Sequence, residues 1–117
     1  MSDIQILHNP RCSKSRATKQ ILDDKGLAYK VVDYLKQPPT RDELEEILRL
    51  LQMEPRALMR RGESVYREQQ LDDEGLSRDD LIQAMLDHPI LIERPIVLAN
   101  GKASLGRPPE QVLDILP

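Results

Sequence analysis

Apolar positions recur along this chain at two different spacings, and the switches between them outline its elements. Asp3 to His8 alternates, with Ile4 and Ile6 on one face, which predicts a short strand ending at the Asn9-Pro10 turn signal. After Cys12, Ser13 to Lys25 reads as a helix, with Ala17, Ile21 and Leu22 on one side and Gly26 in the C′ position. Tyr29 to Tyr34, rich in β-branched and aromatic residues, predicts a second strand, and Pro38-Pro39 breaks the chain behind it. Thr40-Arg41-Asp42-Glu43 is a capping-box pattern ahead of Leu44, Ile47, Leu48 and Leu51 at helical spacing. Pro55 to Arg61 predicts a short helix, and Ser77 to Asp80 offers an N-cap for another that carries Leu81, Ile82, Met85 and Leu86 up to His88-Pro89. Pro95 to Leu98 and Lys102 to Leu105 flank Asn100-Gly101 as a hairpin, and Pro108-Pro109 opens a last helix through Leu116. The order is strand, helix, strand, several helices, hairpin, helix. It predicts an α/β, thioredoxin-like fold: a small mixed four-stranded sheet in one domain over 1–117, with an all-helical insertion over about 37–90.

Composition narrows what such a domain does. With 117 residues, 39% hydrophobic and 32% charged, the chain is long enough for one core. Three Tyr, no Phe and no Trp leave that core to aliphatic side chains, and Met53, Met59 and Met85 at helical spacing read as part of it. A net charge of -3 and the scarcity of aromatics argue against nucleic-acid binding. No apolar run approaches the ~20 residues that span a bilayer, and Met1 to Leu7 lacks a signal-peptide pattern. The expected location is the cytoplasm, and a monomer is the default.

The chain has one cysteine, which excludes an intrachain disulfide and a cysteine-rich metal site. Cys12 sits between the end of a strand and the start of a helix, where unpaired N–H groups and the helix dipole favour negative charge. His8, Arg11, Lys14 and Arg16 stand in the same nine residues. An ordinary thiol, with a pKa near 8.5, is about 3% ionised at pH 7, and stabilising its thiolate by roughly 2.7 kcal/mol makes it mostly ionised. A helix N-terminus with one or two cations can supply that, and the same N–H groups suit a bound oxyanion. Cys12-Ser13-Lys14-Ser15 has the spacing of a redox Cys-x-x-Cys with serine in the second place, so an external thiol must resolve any adduct, glutathione or a glutaredoxin being the cytosolic candidates. An incidental buried thiol is the competing reading.

The run His8-Asn9-Pro10-Arg11-Cys12-Ser13-Lys14-Ser15-Arg16 resembles the signature of the ArsC family of glutaredoxin-dependent arsenate reductases. The resemblance continues through Tyr34-Leu35, Pro39 to Leu44, Arg56 to Arg60, His88 to Val97 and Gly106-Arg107-Pro108-Pro109-Glu110. Cys-Ser-Lys-Ser-Arg, Ala99 to Ala103 and Gly-Arg-Pro-Pro-Glu resemble the YfgD-like branch most. The resemblance implies a Cys12 nucleophile that attacks arsenate and loses water, glutathione and glutaredoxin as reductants, and arsenite as product. It implies that Arg60, Arg94 and Arg107 bind the oxyanion, and that Pro95 is the cis proline of a thioredoxin-like fold. Supporting roles are expected of His8, which tunes the thiol or is structural, of Ser15, as a helix cap or donor to the thiolate, and of Arg16. His88 is expected to be structural. No metal and no bound cofactor are expected; glutathione is a co-substrate. Two alternatives stay open: a glutathione-dependent oxidoreductase acting on another substrate, and a non-enzymatic regulator similar to the Spx-like proteins. Against the second, Ser15 stands where their redox switch has a second cysteine.

Overall fold

The computed structural model describes residues 4–117, so Asp3, where the sequence places the start of the first strand, lies outside the described residues. The chain divides into two compact units, residues 1–37 with 94–117, and residues 38–93.

The first unit is built on strands β1 (Gln5–Leu7), β2 (Lys30–Val32), β3 (Ile96–Ala99) and β4 (Lys102–Leu105), with helix α1 (Ser13–Asp24) between the first two. The sheet order is β2-β1-β3-β4. β1 runs parallel to β2, with Ile6 opposite Val31, and antiparallel to β3, with Ile6 opposite Val97; β3 and β4 pair antiparallel. This is the expected mixed, thioredoxin-like sheet. Ile4 and Ile6 share a core with Leu22, Val97, Ala99, Val112 and Ile115, so the core is aliphatic, as the composition requires. Gly26 ends α1 at φ +67, and Asn100 and Gly101 take the left-handed conformation at the hairpin tip, where a two-residue turn matches the strand twist.

The second unit carries α2 (Arg41–Leu51), α3 (Pro55–Leu58), α4 (Ser64–Glu68) and α5 (Arg78–Asp87). Both α2 and α5 begin with reciprocal capping boxes, Thr40 with Glu43 and Ser77 with Asp80. Their buried faces are Leu44, Ile47 and Leu48, and Leu81, Ile82 and Met85. Among the described residues no helix is long and apolar enough to cross a membrane.

Several boundaries differ from the sequence reading, each for a local reason. β2 is shorter than Tyr29–Tyr34 because the chain turns at Asp33, whose carbonyl accepts from Lys36 N and Gln37 N, while Tyr34 is fully buried. The helix expected to reach Arg61 stops at Leu58: Met59 forms a bridge to Ile92, Arg60 N donates to Leu91 O, and Glu93 N donates to Leu58 O. Met59 is therefore a core residue in extended backbone rather than on a helix. The last helix is a 3-10 helix over Pro109–Ile115, whose three-residue turn puts Val112 and Ile115 on the core side together. Helix α4 falls in a stretch with no clear periodicity and was not expected.

Candidate active site

The loop from β1 to α1 holds Cys12 through bonds made by its own polar residues. His8 N donates to Val32 O, which ties the end of β1 to β2. The Asn9 side-chain oxygen accepts from Arg11 N at 3.0 Å, and Asn9 O accepts from Cys12 N at 3.0 Å, closing the Pro10-Arg11 turn. Arg16 N donates to Cys12 O, the first bond of α1. Cys12 is thus the N-cap residue, with extended backbone (φ -95, ψ 123), a position where a side-chain acceptor meets the first free N–H groups.

What surrounds the sulfur favours its anion. Partial burial by itself pushes the thiol up, but the backbone N–H of Ser15, the Arg94 guanidinium and the backbone N–H of Lys14 outweigh it, and the Cys12 pKa falls below the ordinary thiol value. Arg107 Nη2 lies 3.9 Å from Cys12 Sγ, and Arg107 Nε donates to Arg94 O at 2.9 Å. Helix α1 has no acidic residue in its first turn, whereas α2 and α5 fill theirs with Asp42 and Glu43, and with Asp79 and Asp80. The positive end of α1 is left for an anion that is not its own carboxylate.

Behind the thiol lies a buried polar network. Ser15, fully buried, is the third residue of α1 and not its cap. Its hydroxyl accepts from Asn9 N at 3.0 Å and shares a 2.7 Å hydrogen bond with His8 Nδ1, so what Ser15 offers the sulfur is its backbone N–H. Burial, together with Lys19 and Arg16, holds His8 below the usual imidazole range against the opposing pull of Asp33, and the ring stays neutral at pH 7. Arg16 is exposed and donates to Pro10 O at 2.9 Å, bracing the loop from outside.

Of the residues predicted from sequence, the structure brings Cys12, Arg94 and Arg107 together, with His8 and Ser15 joined to each other beside them. The Arg94–Pro95 peptide bond is cis, and so is Arg107–Pro108, which the sequence did not lead us to expect. Arg60 belongs to the second unit. There it follows the Met59 bridge and is held by two carboxylates, Glu63 at 3.1 Å and Glu93 at 2.7 Å. Three supporting residues were missed: Asn9, read only as a turn former, and Gly106 and Thr18, which pack beside Pro95. Gly106 stood inside the Gly-Arg-Pro-Pro-Glu motif, but nothing in the pattern distinguished it from an ordinary loop glycine. Among the described residues, no three His, Cys, Asp or Glu side chains are grouped as a metal site requires.

A mixed four-stranded sheet with a cysteine at a helix N-cap and two arginines beside its sulfur makes a thioredoxin-like thiol site that carries positive charge. Among known proteins, the ArsC family model matches residues 7–115, and the chain belongs to that family. It is 53% identical over 114 residues to protein YfgD of Escherichia coli (strain K12), covering 97% of this chain and 96% of that one. It is 49% identical over 117 residues to a protein of Neisseria meningitidis serogroup B named arsenate reductase, covering 99% of this chain and all of that one. A solved structure of an arsenate reductase from Vibrio cholerae superposes with a TM-score of 0.95 at 50% identity, covering 98% of each chain.

Proposed function

We propose that this chain is a cytoplasmic arsenate reductase in which the Cys12 thiolate attacks arsenic and a glutathione–glutaredoxin couple completes the reduction. The observation that carries the reading is the convergence on one sulfur of Arg94, Arg107 and the first N–H groups of α1. Nucleophile and substrate are both anions in this reaction. At 4 Å two unit charges of like sign repel by about 1 kcal/mol in water and about 4 kcal/mol at an effective dielectric of 20, and a dianion doubles that. Fixed cations and amide dipoles remove this barrier without reorganising. Arginine suits the task because its planar fork meets two oxygens of an oxyanion at once. In this reading Arg60 is the third oxyanion ligand, and the protein acts as a monomer without a bound cofactor.

The proposed step forms a sulfur–arsenic bond and releases one arsenate oxygen as water. One glutathione thiol then bonds to arsenic, its proton leaving with a second arsenic oxygen as water, and a glutaredoxin thiol attacks the glutathione sulfur, breaking its bond to arsenic. The two electrons taking arsenic from +5 to +3 come from these two thiols, which leave as a mixed disulfide, and water hydrolyses the remaining sulfur–arsenic bond to release arsenite and restore the Cys12 thiol. Ser15 in place of a second cysteine supports an external resolving thiol, and its engagement with His8 and Asn9 gives the serine a structural reason to be there. The test is arsenate-dependent NADPH oxidation with glutathione, glutathione reductase and glutaredoxin, run beside a thioredoxin–thioredoxin reductase couple. Turnover with the first couple alone is expected, and Arg60→Ala, Arg94→Ala and Arg107→Ala should lose arsenate use more than folded protein. Turnover only with thioredoxin would overturn the assignment of reductant. Reduction of a glutathione mixed disulfide but not of arsenate would favour a different substrate.

A further inference from the structure

We infer that Gly106 is a positioning residue for Arg107: its missing side chain lets the end of β4 press against Pro95 and Thr18, which sets the guanidinium over Cys12. The inference rests on reading Arg107 as an oxyanion ligand. Of the five glycines, Gly106 is the one whose added Cβ would collide with rigid neighbours. That Cβ would stand 2.6 Å from Pro95 Cγ and 3.2 Å from its Cδ, and would overlap Thr18 Oγ1. By contrast, nothing lies within 4 Å of a Cβ placed at Gly26, Gly62 or Gly101. Neither neighbour can yield easily. Pro95 is a buried ring leading into β3, and Thr18 is fully buried with its hydroxyl donating to Lys14 O at 2.9 Å. What moves is therefore the 106–107 backbone, which is held by Gly106 N donating to Pro95 O at 3.0 Å. Restoring ordinary contact at about 3.5–4 Å means a shift of roughly 1 Å. A misplacement of that size is enough to cost up to ~100-fold in a positioned reaction. The residue immediately after Gly106 carries the Nη2 that lies 3.9 Å from the sulfur.

The experiment is a double-mutant cycle read by phosphate protection of Cys12 from iodoacetamide, which needs no turnover. Gly106→Ala is expected to weaken phosphate protection at least tenfold in the wild-type background and less than twofold in Arg107→Gln. The alkylation midpoint is expected to stay in place, because the donors that lower it are Ser15, Arg94 and Lys14. Should Gly106→Ala not fold, Thr18→Val presses the same glycine from the helix side, and about a threefold loss is expected, again absent in Arg107→Gln. Equal losses in both backgrounds, or no loss in the wild type, overturn the inference. A wild type protected by phosphate but inactive on arsenate would fail the proposed function while leaving this cycle decisive. No protection of the wild type by phosphate would overturn this inference, while arsenate turnover alone decides the proposed function.

Discussion

Replacing Ser15 by alanine separates the structural part of this site from its chemical part. The change deletes one oxygen in a place with no solvent exposure and leaves two groups without that partner, Asn9 N–H at 3.0 Å and His8 Nδ1 at 2.7 Å. Both residues are buried, with 3% and 8% of their surface exposed, so water does not freely replace the hydroxyl. Each orphaned buried polar group costs about 1–3 kcal/mol, giving a loss of roughly 2–6 kcal/mol of stability. At a urea m-value of about 1.5 kcal/mol/M, the unfolding midpoint falls by roughly 1.3–4 M with an unchanged slope. The control is Ser13→Ala, two residues earlier and exposed, for which a change within about 0.5 kcal/mol is expected. The thiol should hardly respond, because the Ser15 group that favours the thiolate is its backbone N–H, which alanine keeps. A loss below about 0.5 kcal/mol in urea would refute the buried network. A large rise in the alkylation midpoint at unchanged stability would mean that the hydroxyl, not the amide, serves the sulfur.

Three further outcomes follow from the same geometry. Arg94→Gln removes a charged donor from the thiolate, and since such bonds are worth about 1.5–3 kcal/mol, iodoacetamide alkylation at pH 7 should slow about tenfold with its midpoint moved up; an unmoved midpoint contradicts the assignment. His8 is lowered in the folded state, so the unfolded chain binds the extra proton and stability falls as pH drops below about 6.5 toward the folded value; urea midpoints at pH 7.5 and 5.5 should differ more for the wild type than for His8→Gln. Thr40→Ala breaks a reciprocal capping box in which Glu43 N donates to Thr40 Oγ1 at 3.2 Å and Thr40 N donates to Glu43 Oε1 at 2.9 Å, and should cost about 1 kcal/mol by the same denaturation without changing alkylation of Cys12.

The alternation of Ile4 and Ile6, the 3.6-residue spacing in α2 and the Asn100-Gly101 turn were legible because each expresses a local preference that the fold does not override. The strand-to-helix position of Cys12 was legible for the same reason. What was hidden depends on contacts distant in sequence. Arg60 looked helical because Pro55 to Arg61 has no breaker before Gly62, yet the pairing of Met59 with Ile92, thirty-three residues away, pulls it into extended backbone. Ser15 resembled a cap by residue type, but the cap position is taken by Cys12 itself, and the serine is drawn inward by His8. Gly106 could not be singled out at all, since a close approach to Pro95 and Thr18 leaves no trace in local pattern. The two prolines at 108 and 109 announced a helix start but not its three-residue pitch, which is set by Val112 and Ile115 meeting the core.

The central claim is that the Cys12 sulfur does chemistry on an oxyanion held by arginine, and one measurement addresses it most directly. Arsenite formed from arsenate is measured in the presence of glutathione and glutaredoxin, with wild-type protein and with Cys12→Ser, after both are shown to be folded. The account predicts steady arsenite production by the wild type and none above the protein-free background by Cys12→Ser. Equal production by the two proteins, or none by either, would contradict it.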